Sequence, residues 1–135
     1  MKIKIIDFGA DKLPVRKHYN DAGADVYCPQ TYILNPGETI AVPLGFGVEI
    51  PDGFMGLIFV RSGMAQTGFD CKLPPIDSGY RGEIHAVVSN TSTTGKALTK
   101  GMRIGQLVIL PIVIADFVRE LGDERGAGAF GSTGK

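Results

Sequence analysis

The sequence predicts an all-β fold, a single sandwich or barrel of short strands. Two observations carry this. Helical periodicity is nearly absent, and short β-rich runs are separated by turn residues. A third supports them: glycine supplies 19 of the 135 residues, about twice the usual roughly 7%, as a chain with many tight turns requires.

In chain order, strands are expected over 3–8, 25–27, 31–34, 39–43, 47–50, 54–60, 83–89, 103–110 and 115–120. Asn35-Pro36-Gly37-Glu38, Pro51-Asp52-Gly53 and Thr94-Gly95 are turn chemistry between them. Pro43 and Pro111 belong at strand edges or bulges, since proline donates nothing to a ladder. The one helix candidate is 62–68, with Ser62 as its expected cap and Gly63 and Gly68 limiting it to about two turns. The runs 54–60 and 107–114 lack the alternation of a half-exposed sheet, so both faces should be covered. In a chain this small, the second cover is expected from another subunit.

Composition narrows the function classes. Acidic and basic residues balance at 14 each, so no overall field draws nucleic acid or anionic membrane, and stable nucleic-acid binding is not expected. Cys28 and Cys71 make neither a disulfide framework nor a metal spacing, and are expected as buried thiols in a reducing compartment. The N-terminus lacks a signal-peptide pattern. The apolar run 107–115 is far below the roughly 20 residues that cross a bilayer, so a cytoplasmic location without membrane attachment is expected.

Five stretches carry chemistry. Arg61-Ser62-Gly63 stands where a strand ends and a short helix begins, a place for an anion or simply for a capped helix. The segment 74–83, PPIDSGYRGE, reads as a stiff hairpin that would present its backbone edge to a nucleobase, or as an ordinary turn capped by Asp77. Asp25 enters a strand after a bend, where one carboxylate suits a hydrated Mg²⁺ or plain solvent. Gln106 begins a strand after a tight turn. The end of the chain, RGAGAFGSTGK at 125–135, fits neither a dinucleotide fingerprint nor a P-loop, because no helix follows it. It is a flexible tail or a ligand-closing arm. Arg125, Phe130, Ser132 and Thr133 would then supply a cation, a ring and hydroxyls.

Taken together and in order, AGADVY at 22–27, RSGMAQTG at 61–68, PPIDSGYRGE at 74–83, GMRIGQLV at 101–108 and RGAGAFGSTG at 125–134 resemble the five motifs of the trimeric dUTPase family. The resemblance implies a distorted β-barrel or jelly roll over 1–120. A glycine-rich arm over 121–135 would be swapped onto a neighbour in a homotrimer. It implies hydrolysis of dUTP to dUMP and pyrophosphate, which limits uracil in DNA and supplies dUMP for thymidylate synthesis. Asp77 would activate the attacking water, and Asp25 would steady Mg²⁺ through water. Arg61, Ser62, Gly63 and Gln106 would contact the phosphates, Tyr80 would pack under the deoxyribose, and backbone groups around Pro75, Ile76 and Asp77 would pair with the uracil edge. Residues Cys71 and His85 are also expected at the substrate. From the arm, Phe130 would stack on the base, and Arg125, Gly131, Ser132 and Thr133 would hold the outer phosphates. The chain departs from the family at Cys71, where Asn is usual, and at Pro74, where Gly is usual. A thiol replaces an amide poorly, so weaker base discrimination is one expectation.

Two alternatives stand beside this reading. A dCTP deaminase-like enzyme looks similar around 77–82 but needs a glutamate where this chain has Val87. A non-catalytic nucleotide- or protein-binding module would keep the fold without turnover, and a regulatory protein partner of unknown identity is compatible with either.

Overall fold

The computed structural model describes residues 1–122. Ten strands and one short helix form in the order β1 (Lys4–Asp7), β2 (Ala24–Tyr27), β3 (Tyr32–Leu34), β4 (Thr39–Pro43), β5 (Phe46–Glu49), β6 (Phe54–Phe59), α1 (Ser62–Gln66), β7 (Phe69–Lys72), β8 (His85–Asn90), β9 (Lys96–Leu98) and β10 (Arg103–Pro111). All pairings are antiparallel. They make four small sheets: β1-β5, β2-β10-β6, β3-β9 and β4-β8-β7. Every sheet sends side chains into one interior. Val26, Leu34, Val42, Phe46, Ile58, Val88, Leu98 and Ile104 are all buried there. Small sheets that share one core make the distorted barrel expected for an all-β chain.

The local chemistry explains the turns. In 35–38 proline stands second and Gly37 third, at φ 79°. That is a type II turn, whose third residue needs a positive φ. Glu38 N donates to Asn35 O at 3.0 Å, and the Glu38 carboxylate accepts from Asn35 N at 2.8 Å.

Three expectations are corrected. β7 and β9 replace a loop reading, because strand pairing with β8 and β3 recruits segments too short and too charged to stand out. Residues 115–120 form no strand, since nothing in the described chain pairs with them. Ser62 does not cap α1. The capping position is Arg61, no side chain closes the helix start, and Ser62 is its first residue. Both cysteines are free and buried, as expected. No described helix is long and apolar enough to cross a membrane.

Beyond β10 the chain runs apolar and uncovered. Val113 is 88% exposed and Phe117 97% exposed, with Ile114, Val118 and Leu121 also exposed.

One buried polar side chain ties two sheets. Asn90 is 0% exposed. Its amide nitrogen donates to Leu34 O at 3.0 Å and Thr94 O at 2.8 Å, and its oxygen accepts from Ser92 N and Oγ. Asn90→Ala would leave these groups unpaired in the interior. We expect a loss of about 2–4 kcal/mol in urea denaturation, against under about 1 kcal/mol for an exposed control such as Thr93→Ala.

Candidate active site

Two groups of the expected residues come together, in two places. The first is built on the β2-β10-β6 sheet. Register places Asp25 opposite Gln106, and Gln106 opposite Phe59. Directly opposed residues project from the same face, so Asp25 and Gln106 share one surface. A register shift between Arg103 and Gly105 makes the strand bulge here, and bulges re-aim side chains. Gly105 is required by close approach: a Cβ there would lie 2.7 Å from Phe59 O.

The Asp25 side chain is largely buried, at 16% exposure, and has cations on both sides. Arg61 Nε lies 3.8 Å from Oδ1, and Arg103 Nη1 lies 3.4 Å from Oδ2. The role of Arg103 was not legible in the sequence, because only the bulge brings it to Asp25. Arg61 precedes α1, and the N–H groups of Ser62 and Gly63 in its first turn have no acceptor within the helix. Two guanidiniums within 4 Å of one carboxylate, with Gln106 on the same face and the free N–H groups of α1 next to Arg61 in sequence, can bind an anion beside a single acidic contact point.

The second group surrounds a cavity of about 230 Å³ under the 74–83 segment. Pro75, Ile76, Asp77, Tyr80 and His85 all line it. The segment is anchored firmly. Ile76 N donates to Gly56 O at 2.8 Å and Gly56 N to Ile76 O at 2.9 Å, adding a bridge to the free edge of β6. Ile84 N donates to Phe46 O at 2.9 Å. Between these anchors, Tyr80 N closes a turn onto Asp77 O at 3.1 Å, and Arg81 donates to Ser78 O. Tyr80 Oη donates to Glu83 O at 2.7 Å, which fixes the ring against the cavity mouth. Asp77 thus stands exposed at the rim of a rigid loop.

Two expectations change here. Of the backbone groups around Pro75, Ile76 and Asp77 expected to pair with a base, Ile76 spends its N–H and C=O on Gly56 and Pro75 has no N–H, which leaves the N–H of Asp77 as the donor. Cys71 belongs to the core at 6% exposure and does not line the cavity. Its neighbour Lys72 does line it, a residue missed because β7 was missed. Arg125, Phe130, Gly131, Ser132 and Thr133 lie outside the described residues.

The two groups stand apart within one chain. None of Asp25, Arg61, Ser62, Gly63 or Gln106 lines the cavity. Going from Asp25 through Gln106 to Phe59, then from Gly56 to Ile76, three strand steps of about 4.8 Å and three residue steps of about 3.3 Å separate their backbones by about 17 Å.

The dUTPase family model matches residues 10–134. A deoxyuridine 5'-triphosphate nucleotidohydrolase of Clostridium tetani is 40% identical over 141 residues, covering 100% of this chain and 97% of the relative. One from Cutibacterium acnes is 46% identical over 121 residues, covering 84% and 80%. Among solved structures, a variant of the Staphylococcus bacteriophage 80alpha dUTPase with dUpNHpp matches at TM-score 0.81 and 27% identity, covering 99% of each chain. A mutant of the dUTPase from phage phi11 of S. aureus, with a structural Mg(II) ion, matches at TM-score 0.82 and 23% identity, covering 90% and 97%.

Burial pushes the Cys71 thiol up to about 11, from 9.0, and the Asp70 charge adds to the rise. Burial also raises Cys28, against the opposing effect of a backbone hydrogen bond from Gln30. A thiol with a raised folded pKa holds its proton where the unfolded chain has lost it. Its stabilising contribution is therefore complete below about pH 9 and is lost as pH rises towards 11. Urea denaturation across that window should show stability falling. Cys71→Ala, though less stable at neutral pH, should show a shallower fall, with Cys28 accounting for part of what remains. An unchanged slope would mean the thiol is not held neutral.

Proposed function

Because the chain belongs to the dUTPase family and is thereby a dUTP nucleotidohydrolase, we propose that Asp77 is its general base, acting at a site shared between chains of a homotrimer. The observation that carries this is the separation of the cavity and Asp77 from the Asp25–Arg61–Arg103–Gln106 cluster. A volume of about 230 Å³ falls below the roughly 300–1,000 Å³ of pockets for drug-sized ligands. It has room for a base but not for a whole nucleoside triphosphate. The phosphates then need another surface, and the matching anion-binding cluster is offered by a neighbouring copy. The exposed apolar residues at 113–121 support a covering subunit.

In this reading the uracil enters the cavity and Tyr80 packs against the deoxyribose. At the rim, Asp77 takes a proton from water as the water oxygen bonds to the α-phosphorus. The bond from that phosphorus to the bridging oxygen breaks, and its electrons leave with pyrophosphate. Arg61, Arg103, Gln106 and the N–H groups of Ser62 and Gly63 hold the phosphate oxygens in line. The residues present fit Mg²⁺. Among the described residues no group of three or more His, Cys, Asp or Glu converges, so the chain offers no cage. One carboxylate, Asp25, suits a hydrated ion held mainly by the triphosphate. When bound, Mg²⁺ offsets the charge that develops on the leaving pyrophosphate. The domain occupies 1–120, and the arm over 121–135, with Arg125, Phe130, Gly131, Ser132 and Thr133, closes the site. The product dUMP is a thymidylate precursor, and removing dUTP limits uracil in DNA. Val87 lines the cavity where a deaminase-like reading needs a glutamate, which favours hydrolysis.

Asp77→Asn should lower kcat on dUTP by about 10²–10⁴-fold while dUTP affinity changes little, measured by pyrophosphate release and calorimetry. Full turnover in that variant sinks the assignment. Sharing of the site has its own test. Asp25→Asn and Asp77→Asn should each be inactive alone. After unfolding and co-refolding in equal amounts, they should recover about a quarter of wild-type activity, the share of sites that draw both wild-type carboxylates from different chains. No recovery would place both carboxylates of a site in one chain.

A further inference from the structure

Uracil presents two carbonyl oxygens and one N–H along its edge, so a pocket that selects it must supply hydrogen-bond donors. The near rim of the cavity is short of them. Pro74 and Pro75 have no N–H and Ile76 N is committed to Gly56 O, which leaves Asp77 N as the one backbone donor of 74–77. The side chains help little more. Tyr80 Oη spends its proton on Glu83 O at 2.7 Å, and His85 Nδ1 lies 3.2 Å from the same carbonyl. One lining side chain keeps its donors: Lys72, the last residue of β7. It sits opposite Val87, which also lines the cavity, and the strand alternation that buries Cys71 turns Lys72 outwards. Among the described residues, no carboxylate lies within 4 Å of its ammonium.

We propose that Lys72 reads the base: its ammonium donates a hydrogen bond to the 4-oxo oxygen of uracil and sets the preference for uracil over cytosine. This rests on the reading of the cavity as the base site. The choice of oxygen follows from placement. The 2-oxo oxygen neighbours the bond to the sugar, and Tyr80, against the sugar, lies in the turn. Lys72 stands at the base of the same hairpin, on the side away from that turn, where the far edge of the ring arrives. Cytosine carries an amino group at that position. It would meet the ammonium donor to donor, leaving both unpaired in a confined space. An ammonium offers three donors and no acceptor, so it cannot adapt to cytosine as a reorienting amide can.

The test is a cycle of enzyme and substrate changes, reading kcat/KM by pyrophosphate release. Lys72→Met keeps the length of the side chain and removes the donor. On dUTP we expect it to lower kcat/KM by roughly 10- to 100-fold, the worth of one charge-assisted hydrogen bond. The dUTP-to-dCTP ratio should fall by a similar factor, and Lys72→Arg should recover much of both. A dUTP analogue lacking the 4-oxygen should be a poor substrate for the wild type and should lose no more in Lys72→Met, because the partner is already gone. If wild type hydrolyses dUTP but Lys72→Met keeps the uracil-to-cytosine ratio within about twofold, the lysine is a solvated surface residue and the proposal fails while the function stands. Equal loss on dUTP and on the analogue would also overturn it, because the lysine would then act away from that oxygen. A wild type that fails to hydrolyse dUTP would overturn the underlying reading instead.

Discussion

The chemistry of this chain depends on the backbone pairing of β10. Among the described residues it alone is bonded to both β2 and β6, so its register decides which residues meet. Gln106 lies between Asp25 and Phe59, and the shift between Arg103 and Gly105 brings the Arg103 guanidinium to the Asp25 carboxylate. A one-residue slip would turn these side chains to the opposite face. The far edge of the same sheet holds the hairpin, because β6 at Gly56 exchanges both backbone groups with Ile76. The charged cluster at Asp25 and the cavity under the 74–83 segment therefore hang from one sheet, at opposite sides of it.

Much of this was legible in the sequence, for physical reasons. The expected span 39–43 is the observed β4, and the turn at 35–38 follows directly from proline and glycine at its centre. Asp25, Arg61, Ser62, Gly63 and Gln106 are grouped by resemblance, and of these the fold brings Arg61 and Gln106 beside Asp25. What was not legible depends on partners distant in sequence. FDCK and KAL carry little β signal alone and become strands because β8 and β3 offer open edges. The run 115–120 has the signal, yet pairs with nothing described. The error at β7 carried over to the site. Without that strand there was no alternation to show that Cys71 turns inwards and Lys72 outwards.

Charge explains why the parts are divided. The chain has no net charge, so a triphosphate is not gathered by a general field. At the cluster, two guanidiniums face one carboxylate, which leaves about one positive charge against the several negative charges of a nucleoside triphosphate. Tight binding then needs further cations, and in the proposed assembly a divalent ion at Asp25 and Arg125 would provide them. Such a site is weak until it is assembled. The chain that leaves β10 carries exposed apolar residues rather than a solvated linker, so burial against a neighbour is favourable where a free tail is not. In this arrangement the same contact that stabilises the assembly completes the catalytic group. On the proposed division of the site, an isolated chain would hold a rigid base pocket and a half-neutralised phosphate surface, neither sufficient alone.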